Sequence, residues 1–314
     1  MDISIVVPLF NEEESLPELM SWIDRVLEGR KYEVIFVDDG SKDDSWAIVN
    51  SLKSKHADKV RGIKFSRNYG KSAGLQKGFE AATGKVVFTM DADLQDSPDE
   101  ILPMEKKLID DGLDLVSGWK KKRHDPITKT FPTKLYNAMT RRMSGIILHD
   151  FNCGLKCYRN EVVKSIEVQG EMHRYIPLIA KAAGFPKIGE HVVQHQARKY
   201  GTTKFGLERF TNGMLDLLTI VFMQRFSRKP MHLFGLLGTL TFLISAGIFC
   251  YIGGYKLYAL SEGIEAKNIT EISAFYVALV GMVLGSQLFL TGFIAEMISR
   301  TDPSRKQYGV IEEL

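Results

Sequence analysis

The chain has 314 residues, a formal net charge of +3 and three cysteines. So small a charge argues against bulk nucleic-acid binding. Three cysteines make no disulfide framework, and Cys153 and Cys157 lack the second pair that a zinc site needs. The length suits one large domain or two modest ones.

Along the first ninety residues, apolar runs alternate with helical patterns. Ile3-Ser4-Ile5-Val6-Val7 reads as a buried strand, and Ser15 to Leu27 follows with apolar residues at helical period. Glu33-Val34-Ile35-Phe36-Val37 is a second strand, ending at Asp38-Asp39-Gly40-Ser41. A helix over 45–53, a strand over 60–65 and a helix over 72–82 lead into the run Lys85-Val86-Val87-Phe88-Thr89-Met90. Such alternation predicts an α/β domain with a mainly parallel sheet and helices on both faces. Next come a helix from Pro98 to about Asp111 and a short strand over Leu113–Ser117. The segment 119–142 holds eight basic residues and one acidic one, with an amphipathic helix over 133–144. It is either a solvated surface or a face turned to phosphates or anionic lipid. His191 and His195 have a helical metal spacing, but 187–196 reads better as a strand, so both are taken as structural.

The C-terminal third is different. Residues 206–226 mix apolar and charged positions like an interfacial amphipathic helix. No Asp, Glu, Lys or Arg occurs from Met231 to Tyr255 or from Ser273 to Ala295. Each run exceeds the roughly 20 residues that cross a bilayer. Arg225, Arg228 and Lys229 precede the first run, and Arg300, Arg305 and Lys306 follow the second. Basic flanks favour the cytoplasmic side, so a hairpin with both ends in the cytoplasm is expected. The N-terminal apolar stretch is short, broken by Pro8 and followed by Glu12-Glu13-Glu14, unlike a signal peptide. The predicted organisation is a cytoplasmic domain over 1–205, a juxtamembrane helix over 206–229, two spans within 230–298 (about 231–256 and 273–296) and a cytoplasmic tail over 299–314.

Asp91-Ala92-Asp93 is the most informative motif, followed by Leu94-Gln95-Asp96. Two carboxylates two positions apart, where a buried strand opens into a loop, can share a hard divalent cation whose other ligands are substrate phosphates. Open α/β sheets bind ligands just there, beyond the strands' carboxyl ends. A solvated acidic turn is the alternative, as an ordinary Asp-Gly turn is for Asp38-Asp39-Gly40.

Four motifs in order, Val6-Val7-Pro8-Leu9-Phe10-Asn11-Glu12-Glu13, Val37-Asp38-Asp39-Gly40-Ser41, Ser66-Arg67-Asn68-Tyr69-Gly70-Lys71 and Asp91-Ala92-Asp93-Leu94-Gln95-Asp96, resemble family 2 inverting glycosyltransferases. More narrowly, the chain is similar to the membrane-anchored polyprenyl-phosphate sugar synthases, which include bactoprenol glucosyltransferases and dolichol-phosphate mannose synthases. The resemblance implies a GT-A fold, a nucleotide-sugar donor (UDP-glucose first, GDP-mannose second) and a polyprenyl phosphate acceptor at a membrane, the bacterial inner membrane first. A homo-oligomer stays open.

Carried onto this sequence, the resemblance implies that Pro8, Phe10, Glu12 and Asp39 line the nucleoside pocket. Asp91, Asp93 and Gln95 would hold Mg²⁺ or Mn²⁺ on the donor diphosphate. Lys120 stands where relatives carry Arg, which keeps the charge and loses the bidentate fork; Arg123 is placed to supply it. Asp150 belongs to a stretch, Asp150-Phe151-Asn152-Cys153-Gly154-Leu155-Lys156, that resembles an acceptor motif, as an orienting group or a base. Arg198 and Lys204 fall in a phosphate-binding motif, although snorkelling beside lipid would also suit them. Lys134, in the basic segment, is a further phosphate-facing candidate. A processive polysaccharide synthase and a non-catalytic nucleotide-binding scaffold are the competing readings; the first lacks its Gln-x-x-Arg-Trp motif here, and intact Asp39, Asp91 and Asp93 argue against the second.

Overall fold

The computed structural model describes residues 1–121, 137–138, 140–170, 172–196, 199, 226, 229–265 and 267–301, and all structural statements concern these. The chain divides into two compact units, Met1–Ile220 and Val221–Leu314.

In the first unit, β1 (Ile3–Leu9), β2 (Tyr32–Asp38), β3 (Val60–Lys64), β4 (Val86–Thr89), β5 (Leu115–Trp119), β6 (Lys156–Arg159) and β7 (Ile188–Val192) form one sheet in the order β3-β2-β1-β4-β6-β5-β7. β6 runs antiparallel to both neighbours, β4 and β5; the other pairings are parallel. Central strands read as unbroken apolar runs because both faces are covered. On one face lie α1 (Leu16–Val26), α2 (Ser45–Lys55) and α4 (Ile101–Asp110), burying Leu19, Ile23, Val49, Met104 and Leu108 against Ile5, Val7 and Phe36. On the other lie α3 (Lys71–Ala81), α5 (Asn160–Ser165) and α6 (Ile176–Ala182), burying Leu75, Phe79, Val162 and Ile176 against Val6, Ile35 and Val87. Each such side chain contributes about 1.5–3 kcal/mol when fully buried.

The mainly parallel α/β expectation holds, with differences in detail. β5 begins two residues later than predicted and ends at Trp119. The helix expected from Pro98 opens instead as a 3₁₀ turn, Pro98–Glu100, before α4. Strand β6 was not foreseen: it is four residues long, with Lys156 and Arg159 at its ends, so no apolar run announces it.

The second unit contains α7 (Pro230–Ser261) and α8 (Ser273–Thr301), both long and apolar enough to cross a membrane. The two helices pack on each other through glycines. A Cβ on Gly238 would lie 2.6 Å from the Phe289 backbone nitrogen, and one on Gly285 2.6 Å from that of Phe242. Leu243, Ile244, Tyr251, Leu257, Val277 and Ile298 face outward. α7 outlasts its apolar run and stops at Gly263 (φ +70°), where Ile264 N donates to Ala259 O and Gly263 N to Leu260 O. These are the two bonds of a Schellman ending, which a left-handed glycine permits. The predicted amphipathic helix over 206–226 lies outside the described residues except for residue 226; of the helix over 133–144, residues 137–138 and 140–144 are described and are helical.

Candidate active site

The ends of β1, β2 and β4 open onto one cleft of about 310 Å³. Pro8, Phe10, Glu12, Asp39, Asp91 and Asp93, six of the residues singled out in the sequence, all line it. Asn68, Gly70 and Lys71 line it too. Gln95, Lys120 and Asp150 are not among the lining residues, and Arg123, Lys134, Arg198 and Lys204 lie outside the described residues.

The β1 and β2 loops are tied together by short polar side chains. Asn11 takes a left-handed backbone (φ 57°), accepts from Lys42 N at 2.9 Å and donates its own N–H to Ser41 Oγ at 2.9 Å. Glu12 N donates to Ser45 Oγ at 2.9 Å, and Ser41 N to Asp38 Oδ1 at 2.8 Å. At Gly40 (φ +76°) a Cβ would come within 2.6 Å of the Arg67 carbonyl carbon, so only glycine lets the 67–70 loop approach. Asp39 then holds that loop: Oδ1 accepts from Tyr69 N at 2.7 Å and Oδ2 from Gly70 N at 2.9 Å. Burial pushes the Asp39 carboxyl up against the pull of these two N–H groups, and neighbouring Asp38 adds to the rise. The Asp-Gly-Ser motif is therefore more than a surface turn, because it fixes a buried carboxylate at the cleft wall.

Asp91 and Asp93 emerge from β4 with buried Ala92 between them. Leu94 is held in the left-handed region (φ 59°), rare for a branched residue, and the Gln95 N–H folds back to Asp93 Oδ1 at 3.2 Å. The Lys71 ammonium, from the first turn of α3, sits on Asp91 Oδ1. Burial would raise the Asp91 carboxyl; Lys71, helped by Lys120 and His173, outweighs it and holds the group at about 2. Among the described residues no three His, Cys, Asp or Glu side chains gather to hold a metal by themselves. Two cleft carboxylates without a full protein cage suit Mg²⁺ or Mn²⁺, whose remaining ligands would be water and phosphate oxygens. Of the expected ligand set, Asp91 and Asp93 share the cleft. Gln95 is half-buried, and its backbone carbonyl accepts from Gln196 N at 2.9 Å.

Lys120 meets a carboxylate of its own chain. Its ammonium pairs with buried Asp96 at 2.6 Å and is only 13% exposed. Burial alone would lower the Lys120 pKa; the Asp96 carboxylate reverses this and raises it. Burial likewise raises Asp96. The pair fastens the loop after β4 to the end of β5.

Asp150 is buried at the head of the loop into β6, and its Oδ1 accepts from Asn152 N at 3.0 Å. Glu190 holds this loop from β7: Oε1 accepts from His149 N at 2.7 Å and Asp150 N at 3.2 Å, while Oε2 meets His149 Nδ1 at 2.7 Å. The His149 ring stacks on Trp119, centroids 4.1 Å apart. Further along the loop, Thr89 Oγ1 donates to Gly154 O at 2.8 Å, and the Gly154 backbone meets the Asp91 carboxylate. The Asp150–Lys156 motif thus lies, through Gly154, against Asp91 of the cleft. Lys156 is buried, with its ammonium on Cys153 O; burial pushes it down. Of the two histidines of 187–196, His191 Nε2 meets Glu100 Oε2 at 3.1 Å, and the His195 backbone pairs in a β-bridge with Asp96.

Three contributors escaped the sequence reading. Lys71 closes a motif noticed there without a role, Glu190 gave no local signal, and His173 reaches Asp91's surroundings from a 3₁₀ turn, Met172–Tyr175, tied to Ser72 Oγ through its N–H at 3.1 Å.

Residues 4–167 match the family model for glycosyl transferase family 2. Dodecaprenyl-phosphate galacturonate synthase of Rhizobium johnstonii is 35% identical over 306 residues, which cover 96% of this chain and 88% of that protein. Undecaprenyl-phosphate 4-deoxy-4-formamido-L-arabinose transferase of Shewanella sediminis is 33% identical, over 95% of this chain and 87% of that protein. Among solved structures, glucosyl-3-phosphoglycerate synthase of Mycobacterium tuberculosis, in complex with Mn²⁺, uridine-diphosphate-glucose and glycerol 3-phosphate, is similar with a TM-score of 0.54 at 20% identity, covering 71% of this chain and 79% of that one. At that identity the likeness speaks for the fold, and it bears out the GT-A expectation. With more than half its length matched by the family model and nearly all of it aligned with such relatives, the chain belongs to glycosyl transferase family 2.

Proposed function

We propose that this glycosyltransferase moves one sugar from a nucleotide donor to a polyprenyl phosphate at a membrane, with inversion at the anomeric carbon. The observation that carries this reading is the meeting of Asp39, Asp91 and Asp93 in one cleft at the carboxyl ends of β1, β2 and β4. The relatives named for polyprenyl-phosphate sugar transfer and the two long apolar helices support the choice of acceptor.

Pro8, Phe10, Glu12 and Asp39 receive the nucleoside, with Asp39 also keeping the 69–70 backbone in place. Asp91 and Asp93 would hold Mg²⁺ or Mn²⁺, which when bound neutralises charge on the departing diphosphate. Arg198 and Lys204 are assigned to phosphate oxygens and Asp150 to orienting the acceptor. A polyprenyl phosphate is already anionic at neutral pH, so placement matters more than a strong base. The apolar pair α7–α8 anchors the enzyme with both its ends in the cytoplasm.

The donor is proposed to be UDP-glucose first and GDP-mannose second. The relatives' sugars, galacturonate and 4-deoxy-4-formamido-L-arabinose, belong in the same panel. The test is a membrane assay with polyprenyl phosphate, Mn²⁺ and labelled nucleotide sugars. One donor should yield organic-extractable label; label from none of them, or label in water-soluble polymer, rejects the reading.

A further inference from the structure

We propose that Lys71 is the resident cation of the Asp91–Asp93 site: its ammonium holds Asp91 until metal and nucleotide arrive together, and so makes metal binding depend on nucleotide. The inference rests on the proposed metal–diphosphate role of that cleft.

The geometry carries it. Lys71 Nζ contacts Oδ1 of Asp91, one of the two carboxylates proposed to share the divalent ion, and the two side chains are 34% and 33% exposed. The pair therefore faces the cleft and can open. The other ammonium groups near Asp91 are committed elsewhere, Lys120 to Asp96 and Lys156 to Cys153 O. Among the described residues, Lys71 is the lysine that lines the cleft. Its backbone is fixed while its side chain is not. Lys71 opens the 11-residue helix α3 directly after Gly70, whose N–H is bonded to Asp39. A cation at a helix N-terminus is disfavoured by the helix dipole, and the first turn of α3 holds no acidic residue. An anionic partner compensates, and two suit the site: Asp91 when the cleft is empty, a diphosphate when it is filled.

A divalent ion on Asp91 and an ammonium on the same carboxylate repel each other, so the ion alone must displace Lys71 into water. With a nucleoside diphosphate present, the displaced ammonium gains a second anion. Metal and nucleotide then bind with positive coupling, and linkage requires each to raise the other's affinity by the same factor.

The test is Mn²⁺ titration of the detergent-solubilised full chain, followed by electron paramagnetic resonance, with and without UDP or GDP. In the wild type, nucleotide should tighten Mn²⁺ by about tenfold, within the usual range of such couplings. Lys71→Gln and Lys71→Met should bind Mn²⁺ alone about tenfold more tightly and lose most of the coupling, whereas Lys71→Arg should keep both. Mn²⁺ affinity that is unchanged or weaker in Lys71→Gln, with binding still abolished by Asp93→Asn, overturns the proposal and leaves the metal site standing. Mn²⁺ binding that Asp93→Asn does not reduce, or no binding in any variant, overturns the proposal and the metal reading together.

Discussion

The backbone of Gly154 lies against the carboxylate of Asp91: a Cβ there would sit 2.5 Å from Oδ2 and 2.7 Å from Cγ. The loop carrying Asp150 and the loop carrying the paired aspartates thus share one contact with no room for a methyl group. Gly154→Ala must push Asp91 aside or shift the loop. A displacement near 1 Å at a reacting centre costs on the order of 10²-fold in rate, while overpacking costs about 1–3 kcal/mol of stability. The variant should therefore fold and transfer about a hundredfold more slowly. All three tryptophans, Trp22, Trp46 and Trp119, lie in the first unit, so their fluorescence reports whether that unit stays folded. Wild-type transfer by a folded Gly154→Ala would mean that the contact is without consequence.

The ion pair of Lys120 and Asp96 makes the next prediction. Removing one partner of a buried pair leaves an uncompensated charge and costs about 3–5 kcal/mol. Lys120→Met should destabilise the first unit by that order in denaturant titrations followed by tryptophan fluorescence. Combining it with Asp96→Leu should recover much of the loss, as replacing both partners by apolar groups often does. If Lys120→Met instead keeps full stability and loses only donor affinity, Lys120 is a phosphate ligand after all.

Glu33 gives the pH dependence. It is buried near the start of β2, where its carboxylate accepts from Ser4 Oγ at 2.6 Å, Thr83 N at 2.8 Å and Thr83 Oγ1 at 2.7 Å, and pairs with Arg61 at 3.0 Å. Burial pushes its pKa up, and these bonds together pull it below the usual value. A carboxylate held lower in the folded state adds stability above its unfolded pKa of about 4.3 and loses it as pH falls through the folded value. The wild-type unit should therefore melt progressively lower as pH drops below about 5. Glu33→Gln should be less stable at neutral pH, and its gap from the wild type should shrink with acidification. A gap that is constant or widens would refute the assignment.

Much of this was legible in the sequence, and the residues show why. The strands that carry the site are unbroken apolar runs, and Pro8, Phe10, Glu12, Asp39, Asp91 and Asp93 sit at their ends, where ligand sites on such sheets form. Local pattern thus marked Asp91 and Asp93, and the family resemblance supplied Pro8, Phe10, Glu12 and Asp39. What it missed is set by contacts between distant segments. Nothing near Lys120 says that its charge will be spent on Asp96, nor near Lys71 that it will reach Asp91, nor near Glu190 that it will bind two N–H groups of another loop. Strand β6 was hidden for a related reason: its place between β4 and β5 is fixed by pairing on both sides, while its own four residues carry a buried lysine and an arginine.

The central claim is that Asp91 and Asp93 grip a divalent ion against the donor's diphosphate. The most direct measurement is the rate of label transfer to polyprenyl phosphate by wild type and Asp93→Ala, in Mn²⁺ and in EDTA, with the folded first unit verified by tryptophan fluorescence. The account predicts transfer by the wild type in Mn²⁺ alone, a loss of about 10²–10³-fold in EDTA or in the variant, as removal of a main charge-stabilising group produces, and no further loss when the two are combined. Wild-type rates in EDTA, or an Asp93→Ala enzyme as fast as its parent, would contradict it.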